Sequence, residues 1–395
     1  MLASSSNTAS SVVNTASVWR GKGLWRAVVV VFATLLAPVV AAVLVYHLDS
    51  FDPSPIPLQD LSSVAPVAAS MVNDHMLEGA EFLGKGQLEG PEDIAYDAKS
   101  QVIYTGCRDG WIKRVTVNES SAEAQVQNFV NTGGSPLGLV FGHNNELIVA
   151  DASKGLLNIS EGGAVELLTD GAEDLKFKLT DAVDVAEDGI IYFTDASYKY
   201  DVHHAMWDFL EGRPYGRLCS YNPVTKETKV LVRDLYFANG VAVSPDQNYV
   251  ILCETPRRRC RKINIQGEKK GEIETFVDDL PGYPDNIHYD GEGHYWIAFP
   301  WGIVKGWEVA YRYPFIRKIT ALLVKYVGRP NMEKNAGVFV VDLEGKPVAH
   351  YYEPELSMIT SGIKIQNYLY CGSIKYQFII RLNLDQYPAR HSSYK

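Results

Sequence analysis

The chain is poor in cysteine: five in 395 residues, an odd and scattered set that makes no disulfide scaffold. It contains no CxxC pair and no His/Cys cluster, so the usual zinc sites are excluded. A Gly-x-Ser-x-Gly elbow and a recognisable serine triad are absent too. Positive charge is in deficit, with 37 Lys and Arg against 47 Asp and Glu, and a formal charge of −10 gives no basic face for nucleic acid. The one basic run, Arg257 to Lys262 (RRRCRK), reads as a solvated hairpin tip. What is present is an apolar fraction of 46% and 23 tyrosines, the composition of a globular, strand-rich protein.

One long apolar run stands near the N-terminus. Residues 27–46 carry no charge, and at ~1.5 Å per residue a helix of that length spans a ~30 Å hydrocarbon core. Arg20, Lys22 and Arg26 precede it while Asp49 and Asp52 follow, so the positive-inside bias keeps residues 1–26 cytosolic. Small residues at the end of the run also fit a cleaved signal peptide. The length of the run and the polar segment before it favour an uncleaved anchor. The expected organisation is a cytosolic tail 1–26, an anchor 27–46, a Pro/Ser-rich stalk 47–75 and a domain 76–395 that is luminal or extracellular. Endoplasmic reticulum, vacuole and plasma membrane all fit. The sequons at Asn118 and Asn158 agree with that side of the membrane. Cys253 and Cys260 flank a turn and are candidates for a disulfide there, buried free thiols being the alternative.

From Glu89 onward a short phrase recurs six times: PEDIAYDAKSQVIYTG, PLGLVFGHNNELIVAD, TDAVDVAEDGIIYFTD, ANGVAVSPDQNYVILCE, PDNIHYDGEGHYWIAF and TSGIKIQNYLYCGS. Each ends in a β-branched or aromatic run bounded by turn residues, which reads as strand. A period of ~40–50 residues with strands throughout is that of four-stranded propeller blades. Helical solenoids share the period but need apolar positions at 3.6 spacing, which these runs lack. The fold class expected is all-β, a six-bladed β-propeller. Two longer intervals, 198–216 and 304–330, hold helix-like insertions that cap one face; the second, basic and aromatic, has a bilayer surface as its other reading.

Aligned on the apolar pair, the second position of the phrase gives Glu92, Leu137, Asp181, Asn239, Asp285 and Ser361. Four of these carry a carboxylate or amide oxygen. At the start of the innermost strands they converge on the propeller axis, with Asn286 as a fifth donor. Hard oxygen ligands in that number suit Ca²⁺. The competing reading is that each simply caps a turn.

The phrases GPEDIA, LIVADASKGLL, IYFTDASYKYD, EGRPYGRL, ANGVAVSPD and PDNI resemble the strictosidine synthase-like family, and equally the adipocyte plasma membrane-associated proteins. The resemblance runs from about Glu78 to the C-terminus. It implies a six-bladed propeller in a superfamily with paraoxonases, gluconolactonases and diisopropyl-fluorophosphatase, calcium hydrolases whose metal ligands match Glu92, Asp181, Asn239 and Asp285. Asp181 stands where relatives commonly have Asn. Strictosidine synthase itself condenses an amine with an aldehyde through a sixth-blade glutamate; Ser361 in this column cannot replace it, and the family's disulfide loop near the first blade is missing. The expected activity is calcium-dependent hydrolysis of a small ester or lactone, with Asp285 and His203 as catalytic candidates. A tethered, non-catalytic propeller with structural calcium is the alternative. Protein partners are not legible.

Overall fold

A computed structural model describes residues 16–61, 65–118, 121–329 and 333–391. The chain divides into two compact units, the first ending at Asp52 and the second beginning at Pro53.

The first unit is helical: α1 (Ala16–Val31), a π-helical turn (Phe32–Leu36) and α2 (Ala37–Leu48). Pro38 has no N–H to continue the ladder into the preceding turn, so the helix is wound wider where that donor is missing. Gly23–Leu48 is one helix of 26 residues containing an 18-residue window of mean hydropathy 2.9, none of that window buried, long and apolar enough to cross a membrane.

The second unit is a six-bladed β-propeller. Blade 1 is Ala95–Asp97, Val102–Gly106, Trp111–Asn118 and Ser121–Asn131; blade 2 is Pro136–Phe141, Leu147–Asp151, Gly155–Ile159 and Val165–Thr169. Blade 3 is Thr180–Val185, Ile191–Asp195, Gly216–Asn222 and Glu227–Leu235; blade 4 is Ala238–Val243, Tyr249–Glu254, Arg259–Asn264 and Ile273–Val277. Blade 5 (Ile287–Tyr289, His294–Phe299, Ala336–Asp342, Pro347–Glu353) is widened by Met71–Asn73 and Arg390–His391. Blade 6 (Ile359–Ile365, Tyr368–Ser373, Ile379–Asn383) takes its outermost strand from Glu81–Leu83, which pairs antiparallel with residues 379–381 and closes the ring. Closure by the N-terminal strand completes the four strands of blade 6, so the first and last parts of the propeller are held in one sheet.

The apolar surface is buried between blades, not at the centre. Ile148, Ala150 and Leu156 of blade 2 pack on Ile191, Phe193 and Cys219 of blade 3, and Leu83, Ile365 and Ile379 of blade 6 meet Ile94, Ile103 and Val115 of blade 1. With the blade faces spent on their neighbours, buried polar groups such as Glu92, Asp181, Asn239 and Asp285 gather where the innermost strands begin.

Both insertions link the second strand of a blade to its third, which places them at the end of the propeller where the innermost strands begin. The first contains α3 (Ala205–Glu211), the second α4 (Lys305–Arg312) and α5 (Pro314–Tyr326). They are tied together by Arg317, fully buried, whose Nη1 donates to the carbonyls of Leu210 (3.2 Å) and Glu211 (2.9 Å) and whose Nε donates to Ala310 O (3.1 Å). Its Nη2 donates to Ser54 O. The segment expected as stalk is therefore attached from Ser54 on: Ser54 N donates to Glu211 O (2.8 Å), Val67 N to Asp279 O (2.9 Å), and Met71–Asn73 joins blade 5. The RRRCRK run is not a solvated tip. Arg257 and Arg258 are buried, because α4 lies over their turn and Glu308 pairs with Arg258 Nε at 3.3 Å.

Candidate metal centre

The column of oxygens arises from a repeated irregularity in the innermost strands. Thr180 pairs with Asp195 and Val183 with Phe193, so Asp181 and Ala182 together face one partner residue. Ala238–Val241 in blade 4 and Pro136–Leu139 in blade 2 repeat that two-against-one step. A bulge of this kind re-aims a side chain out of the normal alternation, here toward the axis. In blade 6 Ile359 pairs with Ser373 as Thr180 does with Asp195, so the column member is Thr360 and not Ser361. The sequence alignment slips by one because Gly362 stands where the other phrases have an apolar residue. A Cβ on Gly362 would lie 2.5 Å from a methyl of Val338.

Glu92, Asp181, Asn239, Asp285 and Asn286 are all buried. Asn286 Nδ2 donates to Glu92 Oε1 at 2.9 Å, and Thr360 Oγ1 donates to the Glu92 carbonyl at 2.7 Å. Asn239 Nδ2 donates to Thr255 Oγ1 at 3.2 Å, and Thr255 Oγ1 in turn donates to Pro284 O at 2.7 Å. Two oxygens are buried without any partner, Glu92 Oε2 and Asn239 Oδ1. Such orphans are rare in proteins and call for an explanation. Among the described residues the acidic groups are not drawn into a closed cage of three or more His, Cys, Asp or Glu ligands.

The electrostatics are those of a cation deficit. Burial, then the charges of Asp285, Asp93 and Asp181, hold the Glu92 carboxyl well above the usual carboxylate range. Asp285 is raised by burial and then Asp181, against a hydrogen bond from Asn239. Burial, then Asp93 and Asp195, push Asp181 up to about 8. Like charges buried together must take up a proton or a cation.

A second layer, which the sequence reading did not anticipate, lies one step along the same strands. His288 Nε2 is 2.7 Å from Asp93 Oδ1, Ser361 Oγ donates to the same oxygen at 2.6 Å, and Leu139 N donates to Asp93 Oδ2 at 3.2 Å. Burial opposes charge on the imidazole, but Asp93 outweighs it and raises His288; the same pair brings Asp93 down despite its burial. The available signal was positional: Asp93 follows Glu92, and His288 comes three residues after Asp285. Beyond this layer, lined by Asp184, His288, Tyr289 and Lys364, a cavity of about 640 Å³ lies at the far end of the channel.

The other candidates fall elsewhere. His203 is exposed in the turn before α3, its backbone N–H bonded to Asp201 Oδ1 at 3.0 Å. Asn158 lies within the third strand of blade 2, where Nδ2 donates to Glu166 Oε2 at 3.3 Å, a placement that does not support its reading as a glycan acceptor. The sequon at Asn118 runs into residues 119–120, outside the described residues. The sulfurs of Cys253 and Cys260, directly paired across blade 4, are bonded to each other at 1.98 Å.

Comparison with known proteins agrees with this architecture. The profile of the strictosidine synthase-like N-terminal region matches residues 72–115, and that of strictosidine synthase matches residues 181–268. The protein STRICTOSIDINE SYNTHASE-LIKE 6 of Arabidopsis thaliana is 54% identical over 361 residues, 91% of this chain and 96% of that protein. The adipocyte plasma membrane-associated protein of Gallus gallus is 32% identical over 376 residues, 89% of this chain and 88% of that protein. Among solved structures, a gluconolactonase from Xanthomonas campestris superposes with a TM-score of 0.56 at 14% identity, covering 82% of this chain and 98% of that one. A calcium-binding regucalcin from Agrobacterium tumefaciens gives 0.53 at 15% identity, covering 82% and 95%. At these identities the two structures speak to the fold alone.

Proposed function

The chain belongs to the strictosidine synthase-like family, and from that premise we propose that it is a membrane-anchored propeller hydrolase that binds calcium on its axis and cleaves a small ester or lactone. The observation that carries this reading is the pair of orphaned oxygens, Glu92 Oε2 and Asn239 Oδ1, buried with the carboxyls of Asp181 and Asp285. Three carboxyls and amide oxygens form a hard donor set, which fits Ca²⁺ and not a softer metal.

Glu92, Asp181, Asn239, Asp285 and Asn286 would hold the ion, Asn286 with Oδ1 because its Nδ2 is already given to Glu92. When bound, calcium would polarise the substrate carbonyl and stabilise its developing oxyanion. Asp285, hydrogen-bonded by Asn239, is our candidate for taking a proton from water at its carboxylate. Phe237 and Tyr283 each lie two residues before a donor, Asn239 and Asp285. With Phe209 and Trp301 they form a buried aromatic cluster in which Phe209 and Phe237 are 4.6 Å apart, centre to centre, and Tyr283 and Trp301 5.4 Å. That cluster favours an apolar acyl or aryl group and excludes water beneath the cap. Neither Thr360 nor Ser361 supplies the carboxylate that amine–aldehyde condensation needs.

The test is turnover of phenyl acetate and a lactone panel by the full chain in detergent, with calcium and with chelator. Hydrolysis that chelator abolishes and calcium restores is expected. Calcium binding without turnover would leave a tethered, non-catalytic propeller, and product from tryptamine and secologanin would restore the condensation.

A further inference from the structure

We propose that the outer face of the cap is an interfacial membrane surface; this rests on reading Gly23–Leu48 as a membrane anchor. The inner face of the cap is already occupied: Trp307, Ala310, Tyr311, Arg317 and Ala321 are buried. On the other side of α5, Phe315, Ile319, Leu323 and Tyr326 follow one another at helical spacing and are 53%, 45%, 51% and 63% exposed. Val327 extends the stripe at 80% exposure. A helix with one face in the protein presents charge on the other when that face meets water; an apolar stripe there marks a partner.

Charge identifies the partner as a bilayer. Across α4 and α5, Lys305, Arg312, Lys318 and Lys325 stand against the single acid Glu308, in a chain whose formal charge is −10. Phe, Ile, Leu and Tyr bordered by Lys and Arg is the composition of a helix lying in the headgroup region, and anionic headgroups attract its cations.

Chain length supplies the second, independent argument. The apolar helix ends at Leu48, and Ser54 is already fixed to the cap through Glu211 O and Arg317. Six Cα–Cα steps reach at most roughly 20 Å, whatever path residues 49–53 follow. A tether that short keeps Ser54 close to whatever bilayer the helix spans.

The experiment uses the full chain in vesicles of phosphatidylcholine and phosphatidylserine, with a thiol-reactive fluorophore at Leu323→Cys. Ile319→Cys is the second reporter, Val224→Cys (90% exposed) the aqueous control and Val31→Cys the anchor control. Cys107, Cys219 and Cys371 are buried and do not compete for label. A lipid-borne bromine quencher is expected to act on positions 323 and 319 at least about twofold more than on 224, whose label aqueous iodide quenches. If 323 and 319 respond to iodide as 224 does while 31 stays lipid-quenched, the inference fails and the anchor stands. Shielding of 323 and 319 from both quenchers means that a protein covers the face, which also overturns it. Iodide access at 31 overturns the anchor reading and this inference with it.

Discussion

Asn286 Nδ2 donates to Glu92 Oε1 at 2.9 Å across 194 residues of sequence, joining blade 5 to blade 1 on the propeller axis. The bond uses the amide nitrogen of Asn286 and one oxygen of Glu92, and leaves the other carboxyl oxygen, Glu92 Oε2, without a partner and available to whatever occupies the axis.

Glu92→Gln combined with Asn239→Ala should abolish bound calcium, read by elemental analysis of the purified full chain. The unfolding temperature should also stop responding to calcium. A ligand bound only by the native state stabilises it by about 2.7 kcal/mol at a hundredfold excess over Kd. Wild-type protein that carries no calcium and shows no calcium-dependent shift would remove the metal from the axis altogether.

Asp208 on α3 predicts a pH dependence. Burial pushes its carboxyl from 3.8 to about 8, and its Oδ2 has no partner. Between those values the folded protein holds a proton that the unfolded chain has released, so stability falls as pH rises through the window and levels off above about 8. Asp208→Asn, which needs no proton, should gain on the wild type progressively from pH 4 to about 8 in thermal melts and no further above that. Parallel curves for the two would show that Asp208 does not hold this proton.

The sulfur chemistry is predicted by burial. Cys107, Cys219 and Cys371 are buried, and burial raises Cys107 to about 12 and the other two further. Native, non-reduced protein should titrate no thiols with a small disulfide reagent, and denatured protein three. Replacing Cys253 and Cys260 together by alanine should cost about 2 kcal/mol, the scale for a short closed loop. Five thiols instead of three in the denatured, non-reduced protein would mean that the pair is open.

Arg317→Ala should detach the cap. Four carbonyls, those of Ser54, Leu210, Glu211 and Ala310, lose a donor; Glu211 O keeps Ser54 N and Ala310 O keeps Tyr313 N, while a buried acceptor left bare costs about 1–3 kcal/mol. We expect a loss of at least about 3 kcal/mol together with early proteolytic cuts between residues 198 and 216 and between 304 and 329. Arg317→Lys, which keeps one donor group, should recover part of it. Unchanged melting and proteolysis would show that the cap is held by its apolar contacts alone.

Much of this was legible in the chain. Six phrases with strand-like runs predicted six blades, because a blade repeats its alternation and its turns at each pass. The two long intervals predicted the helices α3, α4 and α5 that lie over one face. Position along a phrase also predicted that Glu92, Asp181, Asn239 and Asp285 would stand together, since each begins the same strand of its blade.

What the chain could not specify was register and cross-blade pairing. Thr360 rather than Ser361 faces the column because hydrogen bonding sets Ile359 against Ser373, and one residue of slip moves a side chain to another level of the channel. Asp93, His288 and Ser361 are 195 and 73 residues apart in turn, and only ring closure makes them a buried network. Likewise RRRCRK reads as solvated until α4, inserted some fifty residues later, covers Arg257 and Arg258. The repeat pattern is local, so the sequence determined blade number and where each innermost strand begins. Which of them bond to one another, and what the cap buries, was decided by the tertiary structure, where distant strands compete for the same narrow axis.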